Sequence, residues 1–451
     1  MTARTETVDT IIIGAGLSGL SAAQTLINSG QTVAVLEARE RVGGRLLTKD
    51  VEGGSFDLGA QWIGPTQKRI NTLCQELGIQ TFKTFHRGRK LLELDGKTRS
   101  YKSSIPRLSP LALIELQRTI MRIEHWVKKV PSDDALGQPK SKEWDNLTVG
   151  EWARRQVWNK DARHLLNAAI RVIFGVDDNE LPVLHMLRYA NAAGGLMQLC
   201  EIENAAQETR LAGGTQQLAQ GLANRMTDSI FLNSPATLVR QFDNEVRVGS
   251  GEQEFSAGKL IIAIPPALCA RINFQPGLTT ARRQLIQRFP MGATIKCHAL
   301  YKETFWRKAG WSGEVVADGN PITVVFDNTS HNGQAALLAF IVGEPARQWS
   351  RRPEAERRTK VLDCLARWFG EEAKKPIDFV EKDWATEEWT GGCPIGVPTL
   401  GTLSSYGTAL KEPEGNIHWA GTETATEWMG FMEGAIQAGE RAAQEVLAAA
   451  G

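Results

Sequence analysis

Val8-Asp9-Thr10-Ile11-Ile12-Ile13-Gly14-Ala15-Gly16-Leu17-Ser18-Gly19 is a short apolar run that breaks into Gly-x-Gly-x-x-Gly and enters a helix of small residues. The spacing has a physical cause. Gly14 allows a tight turn, Gly16 lets the backbone approach a pyrophosphate, and Gly19 lets the helix pack close to the strand. Leu17 and Ser18 open that helix, whose unpaired N–H groups and positive dipole end suit an anion. The pattern predicts a helix from Leu17 to Asn28, stopped at Ser29-Gly30, and a second strand over Thr32–Leu36. Glu37 follows about 20 residues past the fingerprint, where an acid hydrogen-bonds ribose hydroxyls. Strand, helix, strand and acid in this order read as a dinucleotide-binding α/β unit.

A chain of 451 residues exceeds one ordinary core, so two domains are expected. Hydrophobic content of 42% with 23% charged residues is that of a soluble globular protein. A net charge of +1 gives no reason to expect nucleic acid or an anionic membrane as partner. Met1–Thr7 is polar, and no apolar stretch approaches the roughly 18 residues of a membrane span, so a soluble cytoplasmic protein without signal peptide or anchor is expected. Cys74, Cys200, Cys269, Cys297, Cys364 and Cys393 are scattered, which indicates neither a zinc site nor a disulfide framework. No metal is expected.

Past Glu37, with Ala38 and Arg39 beside it, comes Arg41-Val42-Gly43-Gly44-Arg45, where arginine forks suit phosphate and a plain surface turn is the alternative. Phe56-Asp57-Leu58-Gly59-Ala60-Gln61-Trp62-Ile63-Gly64-Pro65 is glycine-rich with an aromatic, as where backbone passes a planar ring. A helix is predicted over Asn71–Leu77, and an Asp95-Gly96 hairpin turn within a basic, strand-like stretch to Tyr101. A long helix over 110–130, a polar loop over 131–145 and helices to Cys200, one opened by the capping box Thr148-Val149-Gly150-Glu151, form a block without a nucleotide motif. That block is the candidate substrate domain. Strands are predicted again over 236–241, 245–248, 259–264 and 291–301; on the last, Thr294, Lys296 and His298 share one face. The final 60 or so residues repeat the opening chemistry: Trp419-Ala420-Gly421-Thr422-Glu423, then Gly430-Phe431-Met432-Glu433-Gly434 and a helix to about Leu447. A second helix N-terminus aimed at the same ligand suits a flavin, which carries negative charge near N1 and O2 when reduced.

At this point the chain resembles the flavin-containing amine oxidases, and within them the monoamine oxidases. The resemblance rests on the first cradle with Glu37, on Arg41–Arg45, on Asp57-Leu58-Gly59 with Ile63-Gly64-Pro65-Thr66-Gln67, and on Gly292-Ala293-Thr294-Ile295-Lys296-Cys297. Its most specific part is Ala420-Gly421-Thr422-Glu423-Thr424-Ala425-Thr426 with Met432-Glu433-Gly434-Ala435. It implies a Rossmann-like α/β FAD domain over 1–80, 208–285 and 390–451, interleaved with an α+β substrate domain over 81–207 and 286–389. It also implies oxidation of an amine by hydride transfer to flavin N5, release of an imine that hydrolyses, and reoxidation by O2 to H2O2. A homodimer is one assembly it allows.

Carried over by position, the resemblance assigns FAD contacts to the first cradle and to Glu37, Ala38 and Arg39. It adds Gly43, Gly44, Arg45, Gly59, Ala60, Gln61, Trp62, Ala236, Cys393, Gly421, Thr422, Glu423, Gly430, Phe431 and Met432. Lys296 matches the lysine that holds a water against flavin N5, and burial in a cavity would lower its pKa; a lysine exposed on a strand is the alternative. Cys393 matches a cysteine that bonds the flavin in some relatives, while others hold FAD without a bond. Two tyrosines sandwich the amine in monoamine oxidases; Pro394 and Phe431 stand at those positions here, so half the usual cage is missing. Trp428 or Tyr406 is a candidate for the second wall, with a place in the core as the alternative for each, and Gln207, Leu196, Met197, Leu199 and Cys200 are candidate pocket residues, with plain packing as the alternative for the apolar ones. An L-amino acid oxidase, with Arg87 or Arg89 for the carboxylate, and a polyamine oxidase are alternatives; a partner-binding protein with structural FAD is a third.

Overall fold

The computed structural model describes residues 5–102, 106 and 108–450, so the polar start at Met1 and the terminal Gly451 lie outside the described residues. The opening apolar run becomes the strand Thr5–Ile13, whose Ile11 and Ile12 are fully buried. It pairs in parallel with Val33–Leu36 on one side and Gln253–Ile262 on the other. Ile230–Phe231 extends the sheet beyond Val33–Leu36, and Ile417–Trp419 pairs with the end of Gln253–Ile262, both in parallel. Burial on both faces explains why these strands read as unbroken apolar runs rather than alternating ones. The start of Gln253–Ile262 turns the other way, into an antiparallel meander with Val246–Ser250 and Leu238–Gln241.

Helix Leu17–Asn28 covers one face of this sheet and packs against the C-terminal helix Met432–Ala450. The two approach so closely that a Cβ on Gly439 would lie 2.1 Å from the Ser18 carbonyl oxygen. Ser18 also receives a hydrogen bond on Oγ from the Gly421 N–H at 2.9 Å, which ties the two glycine-rich turns together.

A second sheet runs in the order Asp378–Asp383, Thr294–Tyr301, Ala335–Val342, Val324–Asp327, Trp311–Ala317, Arg89–Leu94, Lys97–Tyr101. Ile295, Cys297 and Ala299 face its apolar core with Leu337 and Ile341, which leaves Thr294, Lys296 and His298 on the opposite face. Helices Pro110–Val127, Val149–Gln156, Lys160–Phe174 and Val183–Ala192 build a separate apolar core.

Element boundaries move where packing outweighs local signals. The helix expected at Asn71 starts earlier, at Lys68, because the Ile70 and Arg69 N–H groups are held by the Glu433 carboxylate from across the fold. The loop expected over 131–145 contains short helices at Ala135–Gly137 and Ser141–Asp145, nucleated by Trp144 in the helical core. The hairpin at Asp95-Gly96 forms with both residues at positive φ, 49° and 71°. Thr148 caps its helix by accepting from the Glu151 N–H at 3.0 Å.

Candidate active site

The parallel strands of the first sheet deliver their C-terminal ends to one long cavity: Gly14 after the first strand, Glu37 after the second, Ala263 after Gln253–Ile262 and Gly421 after Ile417–Trp419. Open α/β sheets bind ligands at this edge. The cavity continues past Arg45, Gly59, Ala60, Gln61 and Trp62 to Lys296 on the second sheet, and ends against Val172, Ile173 and Tyr189 of the helical block.

The first end fits a dinucleotide. Helix Leu17–Asn28 starts without a side-chain cap and without an acid in its first turn, so its N–H groups remain open to an anion. A Cβ on Gly16 would meet no atom within 4 Å, whereas one on Gly19 would fall 1.9 Å from the Gly14 carbonyl oxygen. The first glycine therefore leaves room for a ligand and the second for the strand. Gly14 itself sits at φ +102°, a conformation that other residues rarely adopt. Glu37 is buried and held by the Ala15 N–H at 2.9 Å and the Arg39 N–H at 3.1 Å, which fixes its carboxylate between the first two strands.

Between the ends, Arg45 donates to the Pro394 carbonyl oxygen and to Glu423, both at 2.8 Å, and so pins the Cys393-Pro394 segment to the second glycine turn. Arg41 does not line the cavity; it staples its own loop by donating to the carbonyls of Val42, Gly44 and Leu46. Of the six cysteines, all within the described residues, only Cys393 reaches the cavity; burial pushes its thiol up to about 11.

At the other end Lys296 is 2% exposed. Its amine donates to the Gly59 carbonyl oxygen at 2.9 Å and to Gln61 Oε1 at 2.8 Å, with the Trp62 and Phe340 rings 5.7 and 5.6 Å away. Burial lowers its pKa to about 7, with Arg210 pushing the same way and Asp57 opposing. At neutral pH this amine can hold or release a proton, which an exposed lysine cannot.

Most of the residues singled out in the sequence converge here. Gly14, Gly16, Leu17, Ser18, Glu37, Ala38, Arg39, Gly43, Gly44, Arg45, Gly59, Ala60, Gln61, Trp62, Ala236, Cys393, Gly421, Thr422, Gly430, Phe431 and Met432 line the cavity, as do Lys296, Leu199, Gln207 and Pro394. Five do not reach it as expected. Gly19 packs on the strand and Glu423 holds Arg45 from behind. Leu196 is in the helical core, and Met197 and Cys200 are exposed. The expected second wall needs correction too. Trp428 stands behind Phe431 in an edge contact at 5.0 Å, and Tyr406 lies under Arg288; neither borders the cavity. Tyr189 does, with its ring 6.1 Å from that of Phe431. It had no sequence signal beyond an aromatic in an amphipathic helix. Phe326, Phe340, Trp384 and Trp389 also line the cavity, each a single aromatic in a strand or loop without a motif around it.

The cavity lining from the second sheet and the helical block is mostly apolar, with Val172, Ile173, Tyr189, Leu199, Phe326 and Phe340, of which the Phe340 ring is against the Lys296 amine. Gln207 contributes a buried Oε1 with no hydrogen-bond partner, its amide nitrogen being spent on the Leu199 carbonyl. Among the described residues the only carboxylate lining the cavity is Glu37, at the far end and already engaged. Arg87 and Arg89 are on the surface, Arg89 against the Trp311 ring at 4.1 Å.

The model of the family described as flavin containing amine oxidoreductase matches residues 17–447. A Mycobacterium tuberculosis protein named as a flavin-containing monoamine oxidase, AofH, is 40% identical over 443 residues, covering 98% of this chain and 97% of that one. Among solved structures, putrescine oxidase bound to putrescine superposes with a TM-score of 0.95 at 30% identity, covering 99% of this chain and all of that one. Cyclohexylamine oxidase from Brevibacterium oxydans gives 0.94 at 30%, covering 98% and 99%.

Proposed function

We propose a substrate for an enzyme whose family is now fixed: the chain belongs to the flavin containing amine oxidoreductases, matched over residues 17–447. It is a FAD-dependent oxidoreductase that oxidises an amine to an imine and reduces O2 to H2O2. Its substrate is a monoamine with an apolar body. The observation that carries this is the cavity lining contributed by the second sheet and the helical block, which among the described residues offers mostly apolar and aromatic surface and no carboxylate. A second ammonium would have no counter-ion there, and burying an unpaired charge is costly. Among the described residues, every guanidinium lining the cavity is engaged, Arg45 by Glu423, Arg39 by Glu387 and Arg271 by Glu388, so a substrate carboxylate would meet no free one.

Bound FAD supplies the two-electron acceptor; the first cradle, Glu37, Arg45 and the turn from Gly421 to Met432 would hold it. The chain's own part is to bind and orient. Phe431 and Tyr189 give the cavity an aromatic border, and the dry wall favours the neutral amine that can give up a hydride. Gln207 Oε1 is an unmatched acceptor for the substrate N–H. Lys296, whose pKa burial lowers to about 7, holds a proton or a lone pair towards the reacting end. Cys393 is the thiol that would carry a covalent flavin, being the one cysteine in the cavity.

A peroxide-coupled screen of alicyclic and aralkyl monoamines, short diamines and amino acids tests the substrate class. Monoamines should give the highest kcat/KM, with diamines and amino acids at least about tenfold lower. A diamine as the best substrate would refute the reading. Colour in the acid-precipitated pellet reads out the linkage; it should persist, and Cys393→Ala should release it to the supernatant.

A further inference from the structure

Lys296 does not stand alone on its face of the second sheet. A continuous line of hydrogen bonds leads away from it through buried side chains: Lys296 Nζ to Gln61 Oε1 at 2.8 Å, Gln61 Nε2 to Asn328 Oδ1 at 2.7 Å, Asn328 Nδ2 with His298 Nδ1 at 3.0 Å, and His298 Nε2 with the Asp57 carbonyl oxygen at 3.0 Å. Gln61, Asn328 and His298 are at most 2% exposed. None of the three intermediates is needed to fill space there; an apolar side chain would do that without the cost of burying amides.

The direction of every bond is fixed from the far end. A backbone carbonyl can only accept, so His298 Nε2 carries the hydrogen. Burial in this site, with Lys296 and Arg210 nearby, holds the imidazole pKa well below its ordinary value, so the ring is neutral and Nδ1 can only accept. Asn328 must therefore turn its NH2 to the histidine and its oxygen to Gln61, and Gln61 must turn its oxygen to Lys296. If that order reversed, Lys296 would face an N–H. An ammonium would then lose an acceptor, and a neutral amine would spend its lone pair on Gln61.

We propose that Gln61, Asn328 and His298 are positioning residues that set the hydrogen-bond polarity of Lys296: they commit two of its N–H groups to Gln61 Oε1 and the Gly59 carbonyl, and leave the third position, proton or lone pair, for the cavity. This rests on the reading above that the reacting end lies at Lys296. The other ionisable groups facing the amine are Asp57 from the strand Gly54–Asp57, Arg210 from Thr209–Leu211 and Cys393 from the glycine-rich loop. The Asp57 carboxylate is spent on Thr48 and Thr215, and Arg210 on the Thr329 carbonyl. That leaves the chain through Gln61 as the adjustable contact.

The test uses two readouts on the FAD-loaded enzyme. NMR of the histidine ring nitrogens, with His298 assigned by its loss in a substitution variant, should show a neutral ring protonated at Nε2 and no titration across the neutral range. In Asn328→Asp, which offers only acceptors, the same ring should take up a second proton. The pH profile of kcat supplies the second readout, through the limb that Lys296→Met abolishes. His298→Leu frees Asn328 to turn over and should move that limb down by about one pH unit. His298→Gln, which can still donate to Asp57 and accept from Asn328, should restore it. Asn328→Asp keeps an acceptor towards Gln61, and the proton taken up by His298 offsets the new negative charge, so its limb should stay near the wild-type position. A shift in His298→Leu that His298→Gln reverses and Asn328→Asp lacks is not what a merely structural role gives. An Nδ1-protonated ring in the wild type, or an unmoved limb in His298→Leu, would overturn the proposal. Should His298→Leu not fold, the second proton on the His298 ring of Asn328→Asp decides. If Lys296→Met leaves the profile unchanged, the assignment of the reacting end fails while the NMR result still judges the chain.

Discussion

Replacing each fingerprint glycine by alanine should separate the part of the cradle that serves the fold from the part that serves the ligand. At Gly16 the backbone is at φ −75° and a Cβ meets nothing within 4 Å, so Gly16→Ala is conformationally free in the protein without cofactor. Restricting the unfolded chain stabilises by about 0.4–1 kcal/mol, and losing glycine at an N-cap costs a similar amount. The apo-protein should therefore melt within a degree or two of wild type, by order of magnitude. The added methyl occupies the space through which a pyrophosphate would approach the helix, and FAD should bind about 10- to 100-fold more weakly, roughly 1.4–2.8 kcal/mol. Gly14→Ala behaves differently: φ +102° costs about 1–3 kcal/mol for a residue with a side chain, and the Cβ falls 2.8 Å from Ile264 Cγ2. Gly19→Ala is worst, with its Cβ 1.9 Å from the Gly14 carbonyl oxygen and no flexible atom to yield. Calorimetric melting of the deflavinated proteins, made in a Cys393→Ala background so that no bond retains the flavin, with flavin-fluorescence titration of FAD, gives both numbers. Wild-type FAD affinity in Gly16→Ala, with a normal apo melting temperature, would show that the phosphates do not pass Gly16 and refute the assignment of the cradle.

Three further outcomes follow from the geometry. Burial lowers the Lys296 pKa from 10.5 to about 7, so the penalty for its charge is fully present below about pH 7 and fades as pH rises towards the unfolded value; apo Lys296→Met should gain melting temperature over wild type near pH 6 and lose that advantage near pH 10, and a pH-independent difference would contradict a depressed pKa. Glu423→Ala leaves the Arg45 guanidinium without its carboxylate and should cost about 3 kcal/mol, read by denaturant melts, with Arg45→Met in the same chain recovering part of the loss. Leu199→Phe narrows the pocket beside Gln207 and should lower kcat/KM for bulky monoamines about 10-fold or more while sparing small ones; a uniform loss across amine sizes would argue that Leu199 does not border the bound substrate.

What could be read from the sequence divides along a physical line. The first cradle and Glu37 were legible because their constraints are local: tight turn, close approach and helix start lie within a few residues, and the chain records each as glycine or as an acid at fixed spacing. Lys296 was legible only through resemblance, because burial lowers its pKa and the residues that close over it, Gly59, Gln61 and Trp62, are more than 200 positions away. The missing half of the aromatic cage was visible at Pro394, but its replacement was not. Trp428 was the natural candidate on proximity to Phe431, yet at φ 47° its backbone turns the indole to the helical core, behind Phe431. Tyr189 reaches the cavity instead, because its helix is held across Phe431 by Phe174 at 4.7 Å. The same logic explains His298, which its strand position placed only on the face shared with Thr294 and Lys296. Its meaning lies in which atoms meet its two nitrogens, Asn328 on one side and the Asp57 carbonyl on the other. A residue type and a face do not specify that; only the pairing of Thr294–Tyr301 with Ala335–Val342, and of that strand with Val324–Asp327, brings Asn328 to it. Catalytic parts that depend on local backbone are thus encoded where they act. Those that tune a pKa or orient a proton are encoded in the register of distant strands.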